Sequence, residues 1–143
     1  MAVQPERDLV AGGIQLGDLL TRRLAPVFEK ARVTPQQWAI LSVLDQSGDP
    51  MSLAALARSM MVSKQNMTGM MARLEQLGFA ERADDPNDLR SSHVVLTRRG
   101  RATIEKLRPA YEQWREALIG DLSDRDLAAA ANTIEQLIAK LAD

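Results

Sequence analysis

The chain has 143 residues, of which 45% are hydrophobic and 26% charged, and its formal net charge is −1; this is the size and composition of one globular domain. It has no cysteine and a single histidine, which excludes disulfides, thiolate chemistry and a multi-histidine metal site. It has neither a membrane-spanning apolar run nor a signal-peptide pattern, so we expect a soluble cytoplasmic protein without metal or cofactor.

The charges are unevenly distributed along the chain. Residues 52–101 contain eight Lys and Arg against five Asp and Glu, a net charge of +3, whereas the remainder carries −4. Ordinary scatter of surface charge produces such a difference about as readily as a functional basic segment does. The pattern is therefore compatible with nucleic-acid binding, and the motifs have to decide the matter.

The first part of the chain predicts two helices. Apolar residues recur at steps of three and four between residues 7 and 30, the period of one helical face, although three glycines weaken that helix. Thr34 and Gln37 form the pattern of a capping box, and Pro35 suits the first position of a helix. A polar turn over residues 47–50 ends this second helix.

Two short helices are predicted next. Ser52 opens one helix, a break follows at Met61 and Val62, and Ser63 caps the following helix. The apolar residues of that helix form one stripe, Met67, Met70, Met71 and Leu74. Gly78 is suited to ending it.

The last part of the chain predicts a hairpin and two further helices. Residues 79–83 and 92–96 have the character of short strands, joined by a charged turn over residues 84–90. Thr97 caps a long helix with apolar residues spaced as in a coiled-coil seam: Ile104, Leu107, Tyr111, Trp114 and Leu118. Ser123 caps a final amphipathic helix.

Residues 52–101 thus follow the order of a winged helix-turn-helix. The expected fold class is mainly α with a small β-hairpin wing, a winged domain flanked by N- and C-terminal dimerisation helices. The whole chain, 1–143, is then a single domain: residues 34–101 form the DNA-binding lobe, and residues 7–30 and 104–143 supply the dimerisation helices. A homodimer is expected because these helices present more apolar surface than one small lobe covers.

The second helix of the pair carries the predicted DNA-reading face. Its polar residues lie off the methionine stripe, and no acidic residue occurs between Lys64 and Arg73. Such side chains pair with base edges and phosphates, whereas a plain solvent-exposed face usually carries acidic residues as well. We therefore expect DNA contacts from Ser63, Lys64, Gln65, Asn66, Thr68 and Arg73.

The predicted wing supplies further DNA-binding residues. Arg90 lies at the hairpin turn, where a long cationic side chain suits the minor groove. Asp88, two residues earlier, is placed to hold Arg90 extended; the alternative is an ordinary surface ion pair. Arg82, on the first strand, completes the predicted wing contacts.

Three motifs punctuate residues 53–100: RLE-x-x-G at 73–78, DP-x-D-x-R at 85–90 and LT-x-x-G at 96–100. With the helix pair, they resemble the MarR family of bacterial transcriptional regulators. The resemblance implies a homodimer with interlocked terminal helices and winged domains that bind double-stranded DNA. It also makes Arg90 the wing-tip arginine and Asp88 its partner.

The resemblance further implies control by a small effector, often aromatic or anionic, that releases a repressor from a pseudo-palindromic operator. Possible contributors to its site are Arg22, Arg23, Trp38, Tyr111 and Trp114; the alternative is that the tryptophans are core or dimer-seam residues. The many methionines, Met60, Met61, Met67, Met70 and Met71, either pack the core, which is favoured, or form a ligand-accepting surface.

Two other classes of function compete with this interpretation. A winged-helix module that binds protein rather than DNA would carry apolar residues where Lys64, Gln65, Asn66 and Arg90 stand. An enzyme is disfavoured because the sequence offers no catalytic residue set and no cofactor loop. The sequence therefore favours a DNA-binding transcriptional regulator.

Overall fold

The computed structural model describes residues 5–48, 50–85 and 88–141, and the side chains of residues 8–48, 50–83 and 93–141. The elements are α1 Pro5–Phe28, α2 Pro35–Ser47, β1 Met51–Ser52, α3 Leu53–Ser59, α4 Lys64–Gln76, β2 Ala80–Asp85, β3 Asp88–Leu96, α5 Arg98–Ile119 and α6 Asp124–Leu141. A short 3-10 helix, Glu29–Ala31, follows α1. No helix of the described part is long and apolar enough to cross a membrane.

Side-chain caps define where the central helices begin, as predicted. At α2 the capping box is complete: Gln37 N donates to Thr34 Oγ1 at 3.1 Å, and Thr34 N donates to Gln37 Oε1 at 3.0 Å. Hydroxyls of Ser52, Ser63 and Thr97 cap α3, α4 and α5 in the same manner. Each cap satisfies a backbone N–H that the first helical turn leaves without a partner.

The sheet has three strands rather than the predicted two. Its order is β1-β3-β2, all antiparallel, with Met51 opposite Val94 and Ser52 opposite His93. The hairpin strands also extend further toward the turn than predicted. Of the predicted turn over residues 47–50, Gly48 is left-handed at φ 68° and Asp49 lies outside the described residues.

One core holds the winged lobe together. It is formed by the end of α1, α2, α3, α4, the sheet and the first half of α5, and its fully buried side chains include Phe28, Ile40, Leu41, Leu56, Met67, Met71, Leu74 and Val94. Met67 and Met71 are core residues, and Met70 is half-buried against them, so packing explains most of the methionine stripe.

The predicted seam of α5 divides between two environments. Ile104 and Leu107 are 1% and 5% exposed within the winged lobe, whereas Leu118 is 48% exposed. The first half of the seam is therefore buried within one chain, whereas Leu118 in the second half remains available for contact with another chain.

Both ends of the chain leave apolar side chains uncovered. Among the described residues α6 contains none that is buried, and the first half of α1 is exposed as well. The exposed apolar residues of these helices and their connections are Leu9, Val10, Ile14, Leu16, Leu19, Leu118, Leu122, Ile134, Ile138 and Leu141. A single chain thus presents a large apolar surface with no cover of its own.

Candidate nucleic-acid interface

Helix α4 has two unlike faces. Met67, Met71 and Leu74 are fully buried and fix the helix to the lobe. The opposite face is polar, and all six residues predicted to read DNA from this helix are exposed: Ser63, Lys64, Gln65, Asn66, Thr68 and Arg73. The core therefore presents the polar face outward.

Local hydrogen bonds determine which hydrogen-bonding groups of these side chains remain available to a partner. Asn66 N donates to Ser63 Oγ at 3.0 Å, so the Ser63 hydroxyl is placed at the N-terminal end of α4. Thr68 Oγ1 donates to the carbonyl oxygen of Lys64 at 2.9 Å, which commits its proton and leaves its oxygen as an acceptor. Arg73 Nη1 donates to Gln76 Oε1 at 3.3 Å.

The turn between α3 and α4 orients the polar face. Met61 adopts a left-handed conformation with φ 55°, and Val62 N donates to the carbonyl oxygen of Ala57 at 3.1 Å. Ala57 is 4% exposed. A small side chain at this position permits the close approach of the two helices that defines a helix-turn-helix.

The wing is tied to α4 by an ion pair. Arg82, predicted as a DNA contact, donates from Nε to Oε1 of Glu75 at 2.7 Å. The side chains of Asp88 and Arg90, the other predicted wing contacts, lie outside the described residues, although their backbone forms the start of β3. Sequence reasoning missed the Glu75 partner, which is seven residues away and on a different element.

The junction between sheet and α5 explains the LT-x-x-G motif. Thr97 Oγ1 accepts from Gly100 N at 3.0 Å and donates to the carbonyl oxygen of Gly78 at 2.6 Å. A Cβ atom at Gly100 would overlap the carbonyl oxygen of Phe79 and approach Leu96 Cδ2 to 3.3 Å. Glycine is therefore required here, and the threonine joins the end of α4 to the start of α5.

Three aromatic rings meet where α1, α2 and α5 pack. Phe28 stacks on Trp38 with 5.0 Å between ring centroids, and Trp38 lies 5.2 Å from Tyr111. Phe28 is fully buried and Trp38 is 7% exposed, so both rings are core residues, and Tyr111 is half-buried against them. Offset and tilted arrangements of this kind favour aromatic contact.

A cleft opens beside these rings between α2 and α5. Its volume is about 120 Å³, and its lining is Trp38, Ser42, Asp45, Gln46, Ile104, Arg108, Tyr111, Glu112 and Arg115. Arg108 Nη2 donates to Asp45 Oδ2 at 2.6 Å, and the Arg115 guanidinium lies 5.8 Å from the centroid of Tyr111. The cleft thus combines aromatic surface with two cations and two carboxylates, and one cation, Arg108, is paired with Asp45.

The predicted effector residues are only partly brought together. Trp38 and Tyr111 line the cleft, and Trp114 is half-buried on α5. Arg22 is instead exposed on α1 in an ion pair with Asp18, and Arg23 is exposed as well; neither lines this cleft. The cations beside the rings are Arg108 and Arg115, which sequence reasoning missed although Arg108 follows Ile104 by four residues and precedes Tyr111 by three.

Comparison with known proteins agrees with this architecture. A model of the MarR family matches residues 33–92. The transcriptional activatory protein BadR of Rhodopseudomonas palustris is 34% identical over 116 residues, which are 79% of this chain and 66% of BadR. An HTH-type transcriptional regulator of Mycobacterium tuberculosis is 30% identical over 114 residues, 78% of this chain and 79% of that protein.

Solved structures show the same fold over most of the chain. A structure of NadR in complex with 4-hydroxyphenylacetate has a TM-score of 0.75 at 25% identity and covers 90% of each chain. A mutant MarR from Escherichia coli complexed with operator DNA has a TM-score of 0.80 at 21% identity, covering 96% of this chain and 99% of that one.

The helix pair, the three-stranded wing and the exposed polar face define a winged helix-turn-helix protein. The chain belongs to the MarR family, and its function is that of a transcriptional regulator.

Proposed function

We propose that the protein is a homodimeric, sequence-specific DNA-binding regulator in which α4 lies in the major groove and the β2–β3 wing in the adjacent minor groove. The observation that carries this is the polarity of α4. Its inner face is fully buried, whereas Ser63 through Arg73 presents amides, hydroxyls and cations without one carboxylate. An exposed face of this composition matches base edges and phosphates.

The same face argues against a module that binds only protein. Protein interfaces are enriched in aromatic side chains, methionine and arginine, and they are depleted of lysine and serine. The exposed face of α4 has no aromatic residue, and Ser63 and Lys64 stand at its N-terminal end. DNA is the partner whose surface chemistry this helix fits.

Dimerisation is supported by the uncovered apolar surface at both ends of the chain. Leu9, Val10 and Ile14 on α1 and Ile134 and Leu141 on α6 are exposed in a single chain. We propose that α1, α6 and the part of α5 beyond Leu107 form the dimer interface, and that the lobe over residues 34–101 binds DNA. Two lobes related by a two-fold axis read half-sites about 10 bp apart, which makes the operator pseudo-palindromic.

The cleft between α2 and α5 is the proposed effector site. Trp38 and Tyr111 supply aromatic surface, and Arg115 supplies positive charge, since Arg108 is paired with Asp45. An aromatic carboxylate satisfies both, because its ring stacks and its carboxylate accepts hydrogen bonds from a guanidinium. NadR, of similar fold, has been solved with such a molecule, 4-hydroxyphenylacetate. We propose that effector binding moves the lobes and releases the operator, so that the protein acts as a repressor in the cytoplasm.

Selection of bound DNA from a random pool tests this function. Enrichment of a two-fold symmetric motif with half-sites about one helical turn apart is the expected result. Aromatic acids are then added to the complex, with the corresponding uncharged amides as matched controls. The acids should release the DNA and the amides should not; a pool without enrichment would overturn DNA binding, and equal action of acid and amide would overturn the anion site.

A further inference from the structure

Gly69 occupies an unexpected place in α4. It lies well inside a helix of 13 residues and is exposed. Apart from proline, glycine is the residue that destabilises a helix most, because it loses the most backbone freedom on folding. A glycine at an exposed helical position therefore calls for a physical reason.

The described part of the chain supplies no such reason. At Gly100 a Cβ atom would overlap the carbonyl oxygen of Phe79, and at Gly78 the backbone is left-handed with φ 79°. At Gly69 the backbone is helical, and no atom of the described residues outside its own helical turn lies within 4 Å of where a Cβ would stand. Alanine would fit this position and strengthen the helix.

The reason is found on the outer face of the helix. Gly69 follows Gln65 by four residues and precedes Arg73 by four, so the three form one row along α4. This row points away from Met67 and Met71, which are fully buried. The exposed face therefore has a gap at Gly69, where there is no side chain between the long polar side chains of Gln65 and Arg73.

We propose that Gly69 is an affinity-determining residue at the DNA interface, where its missing side chain lets the backbone of α4 approach the duplex closely. This inference rests on the proposed DNA-binding function. The gap lets the side chains of Gln65 and Arg73 reach the duplex, whereas a methyl group at position 69 would hold the helix away from it. Compared with alanine, the glycine therefore lowers the stability of the helix and raises the affinity for DNA.

The substitution Gly69→Ala separates these two effects because they have opposite signs. The midpoint of thermal unfolding should rise by about 2–4 °C, since alanine favours the helix. Affinity for the DNA selected by the wild-type protein should fall by about tenfold or more, the usual consequence of one overpacked contact. Ala102→Gly is the matched control: Ala102 is exposed on α5, outside both the predicted DNA contacts and the proposed dimer interface, so this reverse exchange should lower the midpoint and leave the affinity unchanged.

Each outcome of this comparison decides the inference. A Gly69→Ala protein that binds the selected DNA as the wild type does would overturn it and leave the proposed function intact. A Gly69→Ala protein that is less stable than the wild type would also overturn it, because the glycine would then serve the fold. If the wild-type protein itself enriches no duplex, the proposed function fails and the inference fails with it.

Discussion

Arg82 on β2 and Glu75 on α4 form a hydrogen-bonded ion pair at 2.7 Å, with each side chain about one-third exposed. The pair joins the base of the wing to the end of the helix proposed to enter the major groove. A cation committed in this way is poorly placed to neutralise a phosphate. We therefore interpret Arg82 as a positioning residue that holds the wing at a fixed angle to α4.

The substitution Arg82→Ala should accordingly resemble Glu75→Ala. Both should weaken operator binding by a few-fold, the double variant should be no worse than either, and the coupling in the free energy of unfolding should be about 0.2–1 kcal/mol. The salt dependence of binding should stay as in the wild type. A shallower salt dependence for Arg82→Ala alone would show that Arg82 contacts a phosphate.

Arg90→Ala should behave differently, because we propose that this arginine, at the tip of the wing, contacts the duplex directly. Binding should weaken on every operator sequence, and the slope of log affinity against log salt should become shallower by about one. Titrations at several salt concentrations measure this slope. Lys106→Ala, which removes an exposed cation from the first half of α5, is the control and should leave the slope unchanged.

Gln65→Ala and Asn66→Ala should change which sequences are preferred. Loss of a bidentate contact to a base removes roughly 1–3 kcal/mol of discrimination at one position of each half-site. Repeating the selection with each variant should therefore flatten one position in the motif and preserve the others. Weakening that is equal on all sequences would assign these residues to the phosphate backbone instead.

Gly100→Ala should destabilise the protein because the new methyl group would overlap the carbonyl oxygen of Phe79. Overpacking of this kind lowers the free energy of unfolding by about 1–3 kcal/mol. Urea unfolding measures the change, and Gly69→Ala provides the contrast, since the same substitution there meets open space among the described residues. Equal stability of the two variants would contradict the crowding at the junction of β3 and α5.

Removal of residues 123–143 should leave a monomer or an unfolded chain. This segment contains α6, whose exposed Ile134, Ile138 and Leu141 have no cover within one chain. Sedimentation distinguishes the assembly states, and circular dichroism reports folding. A stable dimer of the truncated chain would place the interface elsewhere.

Many of the helices could be predicted from the sequence because neighbouring residues determine where they begin. The starts of four helices were predicted from hydroxyl side chains that each cap the first turn of the helix that follows: Thr34, Ser52, Ser63 and Thr97. Strand β1 was not predicted, because two residues are too few to show an alternating pattern. Its formation also depends on pairing with β3, whose residues lie about 40 positions away.

Partners that lie on different elements were harder to predict. Ile104, Leu107 and Leu118 fall on one periodic stripe, yet the first two are buried in the lobe and the third is exposed. Periodicity identifies a face but not what covers it. The effector site shows the same limit: Arg108 and Arg115 share the cleft with Trp38 only because α5 packs on α2, whereas Arg22 and Arg23 stay on exposed α1.

Because α6 has no buried residue within one chain, its packing in the proposed dimer depends on the protein concentration. Dilution shifts such an equilibrium toward separate chains, in which the apolar side chains of α6 are exposed. When a cell lowers the concentration of this regulator, DNA binding should therefore fall by more than the concentration does. Fewer chains remain, and a smaller fraction of them is dimeric.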